Sequence, residues 1–199
     1  LRHSLTKLSH LHFVATPDDA ERVLQMGEEP WRVIVSGAPG LARIRQMALW
    51  SREHTAQRFD VDPARPMALV TFHPVTLELD HTPMAIEQLL SALAASGLQC
   101  LFTAPNADPG WAAIRSAIEQ FCRQRPQAHL VDNCGDEGYV NLLNTVTVMV
   151  GNSSSGLIEA PSFRLPVVNI GDRQAGRLRT GNVIDCPAEA SAIRAALAR

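Results

Sequence analysis

From Met67 onward the chain alternates short, almost continuously apolar segments with longer amphipathic ones, and few folds accept that pattern. Residues 67–72, 99–103, 128–131, 146–150 and 167–170 are apolar nearly throughout. Strands buried on both faces read this way, whereas strands with one wet face alternate. Between them, residues 82–95, 110–123, 138–143 and 157–163 have helical spacing. A strand–helix–strand series of this spacing requires right-handed crossovers. The expected fold is therefore α/β, a Rossmann-like parallel sheet with helices on both faces.

Upstream, residues 12–15 read as a short strand and 17–26 as a helix. Thr16 is the candidate N-cap, Pro17 suits the first helical position and Gly27 is a stop. Residues 32–36 read as a second strand, and Gly37-Ala38-Pro39-Gly40 turns into a helix through Met47. The polar stretch 51–66, with two prolines, reads as a helix end plus loop. Residues 188–199 are helix-like.

Composition narrows the function. Hydrophobic residues make up 46% and charged residues 19% of 199, as in ordinary globular proteins. A net charge of −2 supplies no basic field for nucleic acid. No apolar run approaches the ~20 residues of a membrane span. Cys100, Cys122, Cys134 and Cys186 form no C-x-x-C pair and read as reduced thiols, which points to the cytoplasm. His10 and His12 share a strand face but lack further ligands, so no metal is expected. There is no G-x-S-x-G, no Walker P-loop and no G-x-G-x-x-G, and no cofactor is expected.

In open α/β sheets, ligands bind where the loops leave the carboxyl ends of the strands. The chemistry-bearing residues gather in those loops. Val146 to Val150 ends at Gly151, followed by Asn152-Ser153-Ser154-Ser155-Gly156 and a helical pattern. Free N–H groups at a helix start seat phosphate, and serine hydroxyls can cap the helix or donate to phosphate oxygens. Glu159, about one turn on, can accept from two ribose hydroxyls. A capped helix with a solvated Glu accounts for the same residues, and both readings stand at this point. His73, extended by Pro74, can meet a phosphate oxygen or move a proton, or it can be a turn histidine bonded to backbone. Asp172, Arg173 and Arg177, flanked by Gly171 and Gly176, suit a diphosphate clamp; taken alone, a solvated loop explains them better.

Together these residues resemble the hydrolysing UDP-N-acetylglucosamine 2-epimerase family. The resemblance runs from Arg2-His3-Ser4-Leu5-Thr6-Lys7 through His73-Pro74-Val75-Thr76 and Pro105-Asn106-Ala107-Asp108. It is densest in Gly151-Asn152-Ser153-Ser154-Ser155-Gly156, Glu159-Ala160-Pro161 and Gly171-Asp172-Arg173-Gln174-x-Gly176-Arg177. It implies the second half of a glycosyltransferase-B-like two-domain fold. Residues 1–36 would close the first Rossmann-like half and its linker, and 37–199 would form the UDP-binding domain without the family's closing helix. It also implies a UDP-sugar ligand, with Ser153 and Ser154 on the diphosphate and Glu159 on the ribose. Asn106, Arg173 and Arg177 would line the nucleotide-sugar side, and His73 the leaving-group side. The implied reaction is anti elimination of UDP to a 2-acetamidoglycal, then hydration with inversion at C2, giving N-acetylmannosamine. A diacetamido-trideoxy UDP-sugar is an alternative substrate, and a non-catalytic UDP-sugar-binding domain an alternative role. Most acid and base carboxylates are implied in the first half, so turnover by this chain alone is not expected. Homo-oligomerisation is implied as well. Arg164 and Cys134 depart from the small and aliphatic residues usual at their positions.

Overall fold

The structure, a computed structural model, describes residues 2–199; Leu1, the first residue of the expected first domain, lies outside them. The chain packs as two compact units that divide after Met47. The sequence reading placed the division after Ser36, so helix Pro39–Gln46 falls on the other side of it.

The first unit contains α1 (Arg2–Leu8), β1 (His12–Val14), α2 (Pro17–Gln25), β2 (Val33–Val35) and α3 (Pro39–Gln46). β1 and β2 pair in parallel, His12 opposite Val33. Thr16 caps α2, its Oγ1 accepting the Asp19 N–H at 3.1 Å. His12 is buried, and its Nε2 lies 3.1 Å from Glu28 Oε2; Lys7 Nζ holds the other oxygen at 2.6 Å.

The second unit runs α4 (Arg52–Phe59), β3 (Met67–Thr71), α5 (Thr82–Ala94), β4 (Gln99–Thr103), α6 (Trp111–Arg123), β5 (Ala128–Val131), α7 (Asp136–Thr145), β6 (Val148–Gly151), α8 (Ser155–Ile158), β7 (Val167–Ile170), β8 (Val183–Cys186) and α9 (Ala190–Leu197). Six strands form one parallel sheet in the order β5-β4-β3-β6-β7-β8. Alternate strand residues feed two cores. Ala68, Val70, Phe102 and Val150 pack with Leu89 of α5, Ile118 of α6 and Ile193 of α9. Met67, Leu69, Leu101 and Met149 pack with Phe59 of α4 and Leu142 of α7. Helices therefore cover both faces.

Three local readings are corrected. Residues 52–59 form a complete helix, capped by Ser51 Oγ accepting from His54 N at 3.1 Å and burying Thr55, Ala56 and Phe59. Residues 183–186 form an additional edge strand. The helix expected over 157–163 is broken: α8 has four residues, and a 3₁₀ turn over Ala160–Phe163 follows because Pro161 has no N–H for an α-helical ladder. That turn ends at Arg164 with φ 53°, a left-handed conformation better suited to a smaller residue.

The chain turns outward from β3 in both directions, through β4 and β5 on one side and β6, β7 and β8 on the other. The loops after β3 and β6 therefore flank the crevice where the winding reverses, the usual ligand position in such sheets.

Candidate active site

Asn152, the residue after β6, organises this crevice. It is 1% exposed. Its side-chain amide grips the residue after β3 at two points: Oδ1 accepts the His73 N–H at 2.7 Å, and Nδ2 donates to the His73 carbonyl at 2.8 Å. Its own N–H donates to Thr71 O at 3.1 Å. Its carbonyl accepts from Gln174 Nε2 at 2.7 Å and from Arg173 Nη1 at 3.1 Å. One residue thus joins the β3, β6 and β7 loops. Sequence reasoning passed over it as part of a serine motif, because an Asn in a turn gives no sign of what it spans.

The approach depends on Gly151. Its φ is +138°, and a Cβ there would lie 1.9 Å from Thr71 O. Gly156 allows the other close approach, since a Cβ would stand 2.8 Å from Val167 Cγ1. It lets α8 lie directly on β7.

His73 is buried, and its Nδ1 accepts the Asn106 backbone N–H at 3.1 Å. That bond assigns the neutral ring a proton on Nε2. Burial, with Arg173 nearby, pushes its pKa down from 6.5 to about 4, against the opposing pull of Asp108. At neutral pH His73 is an uncharged hydrogen-bond donor. Burial also lowers the Arg173 pKa, with Asp108 acting against it and Arg177 adding repulsion. Arg173, Asp108 and His73 are therefore electrostatic neighbours, while Arg177 stays exposed. Asn106 is exposed too and meets His73 through its backbone.

Ser153 and Ser154 are half-buried at the start of α8. Ser153 Oγ accepts the Ser155 N–H at 3.3 Å, and Ser154 is the N-cap residue but makes no side-chain capping bond. With only four residues, α8 has a small dipole, so an anion here depends on individual N–H and O–H donors. Glu159 follows α8, and its Oε2 is buried without a hydrogen-bond partner among the described residues. Asn169 Oδ1 and Gln174 Oε1 share that condition. Buried acceptors without donors are costly, and these three, in the connections after β6 and β7 and in β7 itself, mark where a ligand or water can donate.

A cleft of ≈ 680 Å³ opens on the α5 and α9 side of His73, within the ~300–1,000 Å³ range of small-molecule sites. Of the residues singled out from the sequence, His73 and Asp172 with its neighbour Gly171 line it, whereas Asn106, Ser153, Ser154, Glu159, Arg173 and Arg177 do not. Among the described residues no group of three or more His, Cys, Asp or Glu side chains can hold a metal ion, and no helix is long and apolar enough to cross a membrane.

A parallel sheet carrying this rim defines one Rossmann-like half of the architecture that the epimerases share with nucleotide-sugar glycosyltransferases. The chain belongs to the UDP-N-acetylglucosamine 2-epimerase family, whose model matches residues 1–199. It is 39% identical over 185 residues to the UDP-N,N'-diacetylbacillosamine 2-epimerase (hydrolyzing) of Legionella pneumophila, covering 93% of this chain and 49% of that protein. It is 35% identical over 195 residues to the polysialic acid biosynthesis protein P7 of Escherichia coli, covering 97% and 49%. The chain thus spans about half the length of the curated relatives it matches. In structure it resembles the UDP-GlcNAc 2-epimerase of Neisseria meningitidis bound to UDP-GlcNAc, with a TM-score of 0.71, 19% identity and coverage of 97% and 53%.

Proposed function

We propose that this chain is the UDP-holding part of a hydrolysing UDP-N-acetylglucosamine 2-epimerase, acting on UDP-N-acetylglucosamine to give N-acetylmannosamine and UDP. The observation that carries the reading is the Asn152 junction. It fixes a neutral histidine, an arginine and a serine turn on one rim, beside a sheltered carboxylate oxygen that lacks a donor. Ser153 and Ser154 hydroxyls donate to the diphosphate, Glu159 accepts from the ribose, and Asn106 and Arg177 line the approach.

In the elimination, a base removes the C2 proton and the C1–O bond breaks. Its electron pair leaves on the diphosphate as C1=C2 forms. Negative charge thus grows on the leaving oxygen, where Arg173 and the Nε2–H of His73 stabilise it. Water then adds across C1=C2, with hydroxyl to C1 and a proton to C2 from the opposite face. The base and acid at C2 belong to the remainder of the protein in this reading, so the chain alone turns over poorly; each missing group costs ~10²–10⁴-fold. A cytoplasmic setting and self-association complete the proposal. The relative named for UDP-N,N'-diacetylbacillosamine favours a diacetamido-trideoxy sugar as the second reading of the substrate.

Titration calorimetry tests the nucleotide site. Ser154→Ala is expected to weaken UDP about ten-fold, the worth of one hydrogen bond to a charged group. Glu159→Gln is expected to weaken UDP and uridine but not pyrophosphate. Equal heats for wild type and Ser154→Ala, or equal weakening of pyrophosphate by Glu159→Gln, would refute the assignment.

A further inference from the structure

The connection from β7 to β8, residues 171–182, is a parallel crossover without a helix. Such crossovers usually run through a helix, whose ladder satisfies the backbone. Here turns supply part of the shape: the Ala175 N–H donates to Asp172 O at 2.8 Å and the Arg177 N–H to Gln174 O at 3.3 Å. One guanidinium supplies much of the rest. Arg179 Nη1 donates to the Gln174 and Arg177 carbonyls, both at 2.9 Å, while its Nε lies 3.0 Å from Asp185 Oδ2. Asp185 is fixed in turn by the strand pairing that sets it opposite Asn169, whose Nδ2 donates to its Oδ1 at 2.6 Å.

Gln174 is thereby gripped at two points, its carbonyl by Arg179 and its buried side-chain amide on the Asn152 carbonyl at 2.7 Å. Arg173, one position earlier, reaches the same Asn152 carbonyl at 3.1 Å. Where Arg179 holds Gln174 therefore decides where the Arg173 guanidinium can stand. The Arg179–Asp185 pair reaches solvent and contributes little to stability for that reason. What it contributes is geometry: a planar guanidinium meets one carboxylate and two carbonyls at once, which a lysine ammonium on a flexible stem does not reproduce.

We propose that Arg179, held by Asp185, is a positioning residue for Arg173: it fixes the β7–β8 connection so that the Arg173 guanidinium stands at the Asn152 carbonyl before any ligand arrives. That Arg173 then meets a diphosphate rests on the UDP reading above; its placement by Arg179 does not. The gain is preorganisation, since a connection without a helix would otherwise order itself on binding, at the expense of affinity.

Two measurements on this chain test the placement. The first follows the titration of the His73 ring by NMR. Besides burial, the charges that act on this ring are those of Arg173 and Asp108, so loss of Arg179 registers there through Arg173. Arg173→Gln removes a repelling charge and is expected to raise the midpoint from about 4. Arg179→Ala is expected to raise it too, Arg179→Lys to behave like Arg179→Ala, and the double variant Arg173→Gln with Arg179→Ala to go no further than Arg173→Gln alone. The second measurement is calorimetry with UDP and uridine at neutral pH. Arg173→Gln and Arg179→Ala are each expected to weaken UDP, by up to about ten-fold, the worth of one hydrogen bond to a charged group, with uridine unchanged. The double variant should lose no more than Arg173→Gln. A His73 midpoint unmoved by Arg179→Ala, or losses of UDP affinity that multiply in the double variant, overturns the positioning. If Arg179→Ala does not fold, Asp185→Asn, which keeps the side-chain shape and weakens the hold on Arg179, is read in the same two ways. Absence of UDP binding by wild type overturns the UDP reading alone and leaves the His73 titration to decide the placement.

Discussion

Removing the Asn152 side chain measures how far the site and the fold depend on one amide. In Asn152→Ala the His73 N–H loses an acceptor at 2.7 Å and the His73 carbonyl loses a donor at 2.8 Å. Both atoms belong to a residue that is 7% exposed, and the amide that served them is 1% exposed. A buried polar group left unpaired costs about 1–3 kcal/mol, so the two together cost about 2–6 kcal/mol. A water entering the vacated space recovers part of this, and about 3 kcal/mol is expected. For a unit of this size that corresponds to a melting temperature lower by roughly 6–12 °C. Urea unfolding followed by far-ultraviolet circular dichroism reads the loss directly. Asn133→Ala is the control, since Asn133 Oδ1 accepts one N–H, from Gly135, in an exposed turn. Its cost should stay below about 1 kcal/mol. If Asn152→Ala costs no more than this control, the two-point grip is not a stabilising feature and the account of the junction fails.

Three further outcomes are expected. The folded His73 pKa of about 4 lies below its ordinary 6.5, so between those values the unfolded chain binds the extra proton. Stability should be full above pH ~6.5 and fall as pH drops toward 4, by up to roughly 3 kcal/mol; urea titrations at pH 7 and 4.5 should show a smaller drop in His73→Gln. Gly151→Ala, with its Cβ forced against Thr71 O, should cost more than about 4 kcal/mol and abolish a cooperative melt. Gly171→Ala, strained in φ at +69° but with open space, should cost only about 1–2 kcal/mol by the same melt.

What the sequence made legible followed from pattern strength. The strands at 99–103, 128–131 and 167–170 match to the residue, because each is a short apolar run between turn residues. Helix α4 was hidden: its buried side offers only Thr55, Ala56 and Phe59, too few apolar residues for a helical stripe amid polar neighbours and prolines. Strand β8 was hidden because Val183-Ile184-Asp185-Cys186 is a half-buried edge with a carboxylate in it. The break after α8 was readable in Pro161, which a helix interior does not tolerate. At the site, the loops that meet on the rim were legible, since strand ends locate them. The side each group faces was not. The cleft is walled by α5 and the end of β8, and no local motif announces a surface assembled from residues a hundred positions apart.

The reach of the Asn152 grip also sets the order in which a growing chain can acquire this site. His73 and Asn152 are 79 positions apart. At roughly 5–20 residues per second, about 4–16 s of synthesis separate them. During that interval β3, β4 and β5 can already pair on the ribosome, because their neighbours in the sheet are their neighbours in sequence. The backbone groups of His73 must wait, hydrated, until β6 inserts along the open side of β3. A nascent chain therefore carries half a sheet before the serine turn and the Asn152 grip exist, and that uncovered β3 edge is the surface a chaperone would have to guard.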